Sequence, residues 1–304
     1  MNKFSISVDS VADLSPEMTD YLGVSVIPFS VKLSGGVLYD RVVQSDELKA
    51  VFKSAKTAER LSILPPSREQ YEEFFDNLAE DYGYIIHICQ GSLFSSAHLN
   101  ALYAAKNTMT KYYGSTVYVI DGHSTSAGLA NLVEFAVNMR NKGYSADDTF
   151  VELLEMRPKI EQHVITKDLV EFNAQHPSGV GRMAIKTNSV AVISVDDIGK
   201  PVASKRCAST SAAIGVVSAR YSAAHSSGTV FVNGSTDLSL LLKTVALMRK
   251  KNAADIKMST MGLCNSLLFG EGSVFLSFLG KPPKSREKPK FNPGKSSDFF
   301  DPEE

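Results

Sequence analysis

Tyr84 to Cys89 is an almost unbroken apolar run, YIIHIC, that halts at Gln90-Gly91 and opens through a hydroxyl-rich turn into a stretch of helical period, about Ser96 to Tyr112. The pattern returns at once in TVYVID, Thr116 to Asp121, followed by a second helical stretch from about Thr125 to Lys142. A strand that is apolar on both faces must be covered on both sides, and successive strand-helix units of this kind build a parallel sheet. The repeat therefore confines the chain to an α/β fold. It also places loops at the C-terminal ends of the strands, where open α/β sheets hold ligands. In the first of these loops Ser92, Ser95 and Ser96 stand before a helix N-terminus, whose free amides and positive dipole end suit a phosphate or a carboxylate. Serines at such junctions also serve as plain helix caps.

The flanking sequence follows the same grammar. Phe4, Ile6 and Val8 alternate as a strand that ends at Asp9; Ser15 then caps a helix from Pro16 to about Leu22, which Gly23 stops. VSVIPFSVKL reads as the next strand, with Pro28 marking an edge or bulge. Ser45 caps a helix over about Asp46 to Ser54, and after the turn-like LPPS, Ser67 caps SREQYEEFFDNLAEDYG, which Gly83 terminates. Ala146 to Gln162 forms one more helix, interrupted near Pro158. From His163 the character changes: a hairpin turning at Asp197 to Gly199 precedes the helix STSAAIGVVSARYSA, the strand GTVFVNG, the helix DLSLLLKTVALMRKK and the strands DIKMSTM and SVFLSFLG. The expectation is a parallel-sheet N-terminal α/β domain over residues 1–160, a second α/β domain over 161–280, and a mobile tail, rich in Lys, Pro, Ser and acid, over 281–304.

With 304 residues and 43% hydrophobic composition the chain can fill two cores. Lys plus Arg (32) balances Asp plus Glu (33), so no global field favours nucleic acid. No apolar stretch approaches the roughly 20 residues of a membrane span, and MNKFSISVDS runs straight into a strand pattern, which makes cytoplasmic residence the expectation. Cys89, Cys207 and Cys264 are far apart and read as reduced core thiols; the six histidines show no spacing of a metal ligand set. Neither GxSxG, GxxxxGK[ST] nor a Gly-rich dinucleotide fingerprint occurs, so no cofactor is implied. A serine nucleophile could be assembled from Ser92 or Ser95 with His98 or His123 and Asp9 or Asp121, though no spacing in the sequence joins them. Arg182, in SGVGRM, is either a contact for an anion or partner or a solvated loop residue.

SVDSVADLSPEM, VSVIPFSVKL with Tyr39-Asp40, PPSREQYEEFF, GSLFSSAHLNA, VIDGHSTSAGLA, SGVGRM and GLCNSLLFGEGSVFLSFLG, in that order, resemble the motif series of the DegV family of bacterial fatty-acid-binding proteins, the EDD fold, over residues 3 to about 280. The resemblance implies a non-enzymatic, two-domain α/β carrier that buries one long-chain fatty acid between its domains and presents the carboxyl end to a fatty acid kinase. It implies no catalytic residue, and it leaves room for transient membrane contact.

Three positions depart from, or keep, the carboxylate site that the family implies. The threonine of its Thr-Ser-Gln-Pro-Ser stretch is replaced by Ile63, the serine of its LSGT loop is kept as Ser95, and the histidine before its Gly-Pro-Gly turn is replaced by Leu268. Each hydrogen bond missing to a charged group is worth about 1.5 to 3 kcal/mol. Either the pocket takes a less polar lipid, or Ser92, Ser96, Ser124, Ser126 or Asn265 holds the head group, with Arg182 as a further head-group or partner contact. Two other classes stay open: a small-molecule hydrolase or transferase built on the Ser95 loop with Asp9 and Asp121, and a ligand-free interaction paralogue.

Overall fold

The computed structural model describes residues 4–33, 36–40, 62–167, 190–224, 226, 228–253 and 255–280. The helix expected at Asp46 to Ser54, the SGVGRM segment with Arg182, and the tail over 281–304 lie outside them.

The first sheet is parallel throughout. Its order is β2 (Ser25–Ile27), β1 (Ser5–Asp9), β6 (Tyr84–Cys89) and β7 (Thr116–Asp121). β1 and β6 are interior, which is why every residue of β1 and all but Tyr84 of β6 are buried. α1 (Pro16–Leu22) starts where Ser15 Oγ accepts the Met18 amide and ends at Gly23 in the left-handed region, φ 57°. α2 (Arg68–Ala79) carries a full capping box between Ser67 and Gln70. It packs on α3 (Ala97–Lys111).

The strand expected over VSVIPFSVKL breaks in two at Pro28: β2 stays in the parallel sheet, and β3 (Ser30–Leu33) enters a small antiparallel sheet between β4 (Gly36–Tyr39) and β5 (Ser62–Leu64). Proline has no N–H to give to a ladder, and the break lets one chain segment serve two sheets.

The second sheet is mixed, in the order β10 (Pro201–Cys207), β9 (Val190–Val195), β8 (Ile160–Thr166), β13 (Val274–Leu279), β11 (Val230–Gly234) and β12 (Ile256–Thr260). Only β11 and β12 run parallel. Here the helix expected over Ala146 to Gln162 requires correction: the helix, α5, spans Ala146–Met156, a 3-10 turn covers Arg157–Lys159, and Ile160 to Gln162 are strand. Pro158 stops the helix, and the ladders of β8 to β9 and β13 then outweigh the helical pattern. α6 (Thr210–Ala224) and α7 (Leu238–Lys250) cover one face of this sheet with a core that includes Val192, Val217, Val232 and Leu276. The hairpin expected at Asp197 to Gly199 is present.

α4 (Ala127–Asn141) is the shared layer. It packs against β1 and β6 on one side and β8, β11 and β13 on the other, with Leu129, Leu132, Val133 and Ala136 in the first core. Ala127 and Ala130 belong to a separate cluster between the sheets. One further helix, α8 (Leu263–Phe269), short and buried along its whole length, fills the junction. All three cysteines are buried and unpaired. Among the described residues no helix is long and apolar enough to cross a membrane.

Candidate functional site

The C-terminal ends of β1, β6 and β7 converge, and their polar groups are largely committed to one another. Asp9 Oδ1 accepts from Tyr71 Oη at 2.6 Å and faces His87 Nε2 at 3.2 Å, while its Oδ2 accepts from the Gln90 amide at 2.6 Å. With Nε2 as donor, His87 Nδ1 is left to accept from Ser7 Oγ at 2.9 Å. Asp9, His87 and Cys89 each bring a ligand-type atom within 4.8 Å of the others. However, both oxygens of Asp9 are already accepting, and burial, reinforced by Asp9 and Asp121, pushes the Cys89 thiol well above its ordinary pKa, so no thiolate is on offer. This cluster reads as a fixed polar core that ties β1 to β6.

The three loop serines separate in space and in role. Ser92 is bound to Asp121: its amide donates to Oδ1 at 3.0 Å and its hydroxyl to Oδ2 at 2.6 Å. Burial pushes the Asp121 carboxyl up, but the Ser92 hydroxyl and the nearby His98 outweigh it and hold the group below its ordinary pKa. Ser95 Oγ accepts from the Ala97 amide at 3.3 Å, whereas Ser96, at the N-cap of α3, makes no side-chain cap. Among the described residues no histidine is hydrogen-bonded to Ser92, Ser95 or Ser96: His123 Nδ1 bonds the Asp197 carbonyl at 3.0 Å. Burial lowers the pKa of both His98 and His123. The loop itself lies close to its neighbour, since a Cβ on Gly91 would stand 2.7 Å from the Ser124 amide nitrogen.

Ser124 and Ser126 turn to structural partners. Ser124 donates to Gln162 Oε1 at 2.6 Å, and Ser126 donates to Asp13 Oδ2 at 2.5 Å while accepting from Asn233 Nδ2 at 3.2 Å. Asn265, on α8, donates to Asp13 Oδ2 and to the Val11 carbonyl and accepts from Thr125 Oγ1. The sequence reading missed this junction. Asp13 and Asp40 entered only as letters of motifs, and no spacing in the sequence joins them to Gly262.

The remaining candidates come together. Phe94, which adjoins Ser95, shares one apolar cluster with Leu268 and Phe269 of α8, Ala127 and Ala130 of α4, and Val164, Ile193, Phe231 and Phe275 of the second sheet; Ile63 packs against it from β5. Ile63, Leu268 and the Ser95 loop, far apart in sequence, thus border one apolar region between the two sheets. A separate open cavity of about 550 Å³ lies on the α6 side of the second sheet, lined by His163, Ser194 and Arg220 among others. Among the described residues, none of the candidate ligand-binding residues borders it.

Comparison with known proteins agrees with this architecture. A family model described as uncharacterised protein, DegV family, matches residues 3–279. A DegV domain-containing protein of Lactococcus lactis is 24% identical over 203 residues, 65% of this chain and 69% of the relative. One from Caldanaerobacter subterraneus is 25% identical over 161 residues, 53% of this chain and 55% of its own length. Among solved structures, a DegV lipid binding protein of Thermotoga maritima superposes with a TM-score of 0.78 at 18% identity, covering 93% of this chain and all of its own. A DegV family protein of Eubacterium eligens loaded with heptadecanoic acid gives 0.82 at 16% identity, with 92% of this chain and 100% of that one covered. The fatty acid kinase B3 protein of Streptococcus pneumoniae, loaded with linoleic acid, gives 0.78 at 15%, with the same coverage.

Proposed function

This chain belongs to the DegV family, and from that premise we propose that it is a non-enzymatic carrier that holds one long acyl chain between its two α/β regions. The observation that carries the reading is the apolar cluster between the sheets, to which the Ser95 loop, β5, α4, α8 and the second sheet all contribute. A methylene chain placed there gains about 0.8 kcal/mol per CH₂ removed from water. In this reading residues 1–160 and 161–280 act as two domains, and the acyl chain lies along Phe231, Phe275 and Leu268, with its polar end near Ser95. Ile63 and Leu268 narrow the polar end to a single hydroxyl and a helix N-terminus. The preferred ligand therefore carries a head group less demanding than a free carboxylate.

Solved relatives support the ligand class, since one is loaded with heptadecanoic acid and another is a fatty acid kinase protein loaded with linoleic acid. A kinase partner for this chain, a cytoplasmic location and transient membrane contact during loading all belong to the same proposal. Native mass spectrometry of freshly purified protein, paired with organic extraction, tests it. The expected result is a bound mass of one lipid per chain; protein that carries none and takes up no palmitic acid or hexadecan-1-ol rules the reading out.

A further inference from the structure

Two acids meet at the start of α8, and among the described residues no cation pairs with either. Asp13 and Asp40 are 2% and 5% exposed. Asp13 closes the 3-10 turn after β1 in the left-handed region, φ 55°. Its Oδ1 accepts from the Gly262 amide at 2.7 Å, and its Oδ2 from Ser126 Oγ at 2.5 Å and Asn265 Nδ2 at 2.9 Å. Asp40, just past β4, takes the Cys264 amide on Oδ1 at 2.8 Å and the Ser10 hydroxyl on Oδ2 at 2.6 Å. Gly262 fits between them because it has no side chain: a Cβ there would lie 2.8 Å from Asp40 Oδ1 and 3.2 Å from Asp13 Oδ1.

Every one of these donors is neutral. Among the described residues neither acid forms an ion pair, and the titratable groups facing the pair are the two carboxyls themselves and the Cys264 thiol. That thiol is pushed well up by burial and by Asp40, so it stays neutral. Two buried carboxylates on either side of Gly262 cannot both ionise without a large penalty, and each holds one amide at the start of α8, Asp13 that of Gly262 and Asp40 that of Cys264. α8 in turn places Leu268 and Phe269 in the apolar cluster between the sheets and Leu263, Cys264 and Leu267 in the first core. Displacing its first turn loosens both.

We propose that Asp13 and Asp40 act together as positioning residues, a proton-operated clamp on α8, so that closure of the acyl cleft beside Leu268 weakens as the pair loses a proton. The ligand half of this statement rests on the carrier function proposed above; the clamp does not. Burial, with Asp40 adding to it, pushes the Asp13 carboxyl up to about 7, and burial raises Asp40 as well. Asp13 therefore gives up its proton within the physiological range.

Hydrogen exchange read by mass spectrometry over 261–270, corrected for the intrinsic pH dependence of amide exchange, tests the clamp without ligand. The opening equilibrium is expected to rise by up to about tenfold per pH unit from pH 5 toward 7 and to level off above. Asp13→Asn and, independently, Asp40→Asn should each flatten that rise. A pH profile that is flat in the wild type, or unchanged in both variants, overturns the clamp. For the ligand half, the release rate of hexadecan-1-ol, whose hydroxyl does not titrate in this range, should be several-fold higher at pH 8 than at pH 5.5, and independent of pH in the variants. Release that is equally fast at both pH values removes the coupling to the cleft. If neither hexadecan-1-ol nor palmitic acid binds, the carrier reading fails, while the exchange profile still decides the clamp.

Discussion

The two sides of α8 are solvated by opposite chemistries. Toward the second sheet, Leu268 and Phe269 sit among Phe94, Phe231 and Phe275. Toward β1 and β4, Asn265 and the amides of Gly262 and Cys264 meet Asp13, Asp40, Thr125 and the Val11 carbonyl. The polar groups of this junction are spent on joining the two parts of the chain, and the side turned to the second sheet is apolar. Ser124, Ser126 and Asn265, which could have compensated for the residues at 63 and 268, already hold structural partners. The proposed preference for a less polar head group rests on these three side chains being engaged elsewhere.

The largest effect should come from the polar side. Asn265→Leu keeps the volume but removes two donors, one of them to a buried carboxylate, and the acceptor of Thr125. A loss of about 3 to 5 kcal/mol in urea unfolding is expected, the range for breaking a buried charged network. A loss below about 1 kcal/mol would mean that the junction tolerates apolar groups as the cleft does, and the contrast between the two sides would collapse.

On the cleft side the expected change is in ligand choice. Ile63→Thr with Leu268→His introduces two polar groups at the cluster that Phe94 of the Ser95 loop enters, and hydrogen bonds to a charged group are worth about 1.5 to 3 kcal/mol each. Even after the cost of burying them, palmitic acid should bind about 10- to 100-fold more tightly, with hexadecan-1-ol gaining little. Equal gains for both lipids, measured by competition in native mass spectra, would show that the head group does not lie at these residues.

The pH dependence of stability separates the sides again. Asp13 in the folded chain titrates at about 7, above its unfolded value near 3.8. The folded state therefore binds more protons between those values, so this group's contribution is fully present below about pH 4 and is lost as pH rises through 7. Relative to Asp13→Asn, wild-type stability should fall by up to about 1.4 kcal/mol per pH unit between pH 4 and 7 and change little above. Leu268→Ala, which alters only the apolar side, should lose stability by the same amount at every pH.

How much of this was legible in the chain depends on how local each feature is. The units β6-α3 and β7-α4 announce themselves through strand and helix periods within 30 residues, and their boundaries hold to within a residue or two. Ile160 to Gln162 misread as helix because the ladders that decide for strand come from β9 and β13, remote in sequence. α8 has no solvent-facing side to produce an amphipathic pattern, since all seven of its residues are buried. The site divides in the same way. Ile63, Ser95 and Leu268 could be singled out by aligning motifs: Leu268 lies in one apolar cluster, Ile63 packs against it, and Ser95 adjoins its Phe94. The acid pair could not, because nothing in the spacing of Asp13 and Asp40 says that both reach Gly262.

The smallest effects distinguish the three loop serines. Ser92→Ala removes the 2.6 Å bond to Asp121 but leaves the amide bond in place. At this exposed position the cost should be about 1 kcal/mol or less, and the Asp121 carboxyl should move up toward its ordinary pKa. Ser96→Ala should stay within about 0.5 kcal/mol, because its hydroxyl caps nothing although it occupies the N-cap of α3. Ser95→Ala should likewise cost little stability, its one bond to the Ala97 amide being long at 3.3 Å. It alone should weaken hexadecan-1-ol binding, by about 5- to 10-fold, the worth of one hydrogen bond of about 1 kcal/mol. Loss of binding in Ser92→Ala with none in Ser95→Ala would move the polar end of the cleft from the Phe94 side of the loop to the Asp121 side, and the apolar region around Leu268 would then be core rather than cleft.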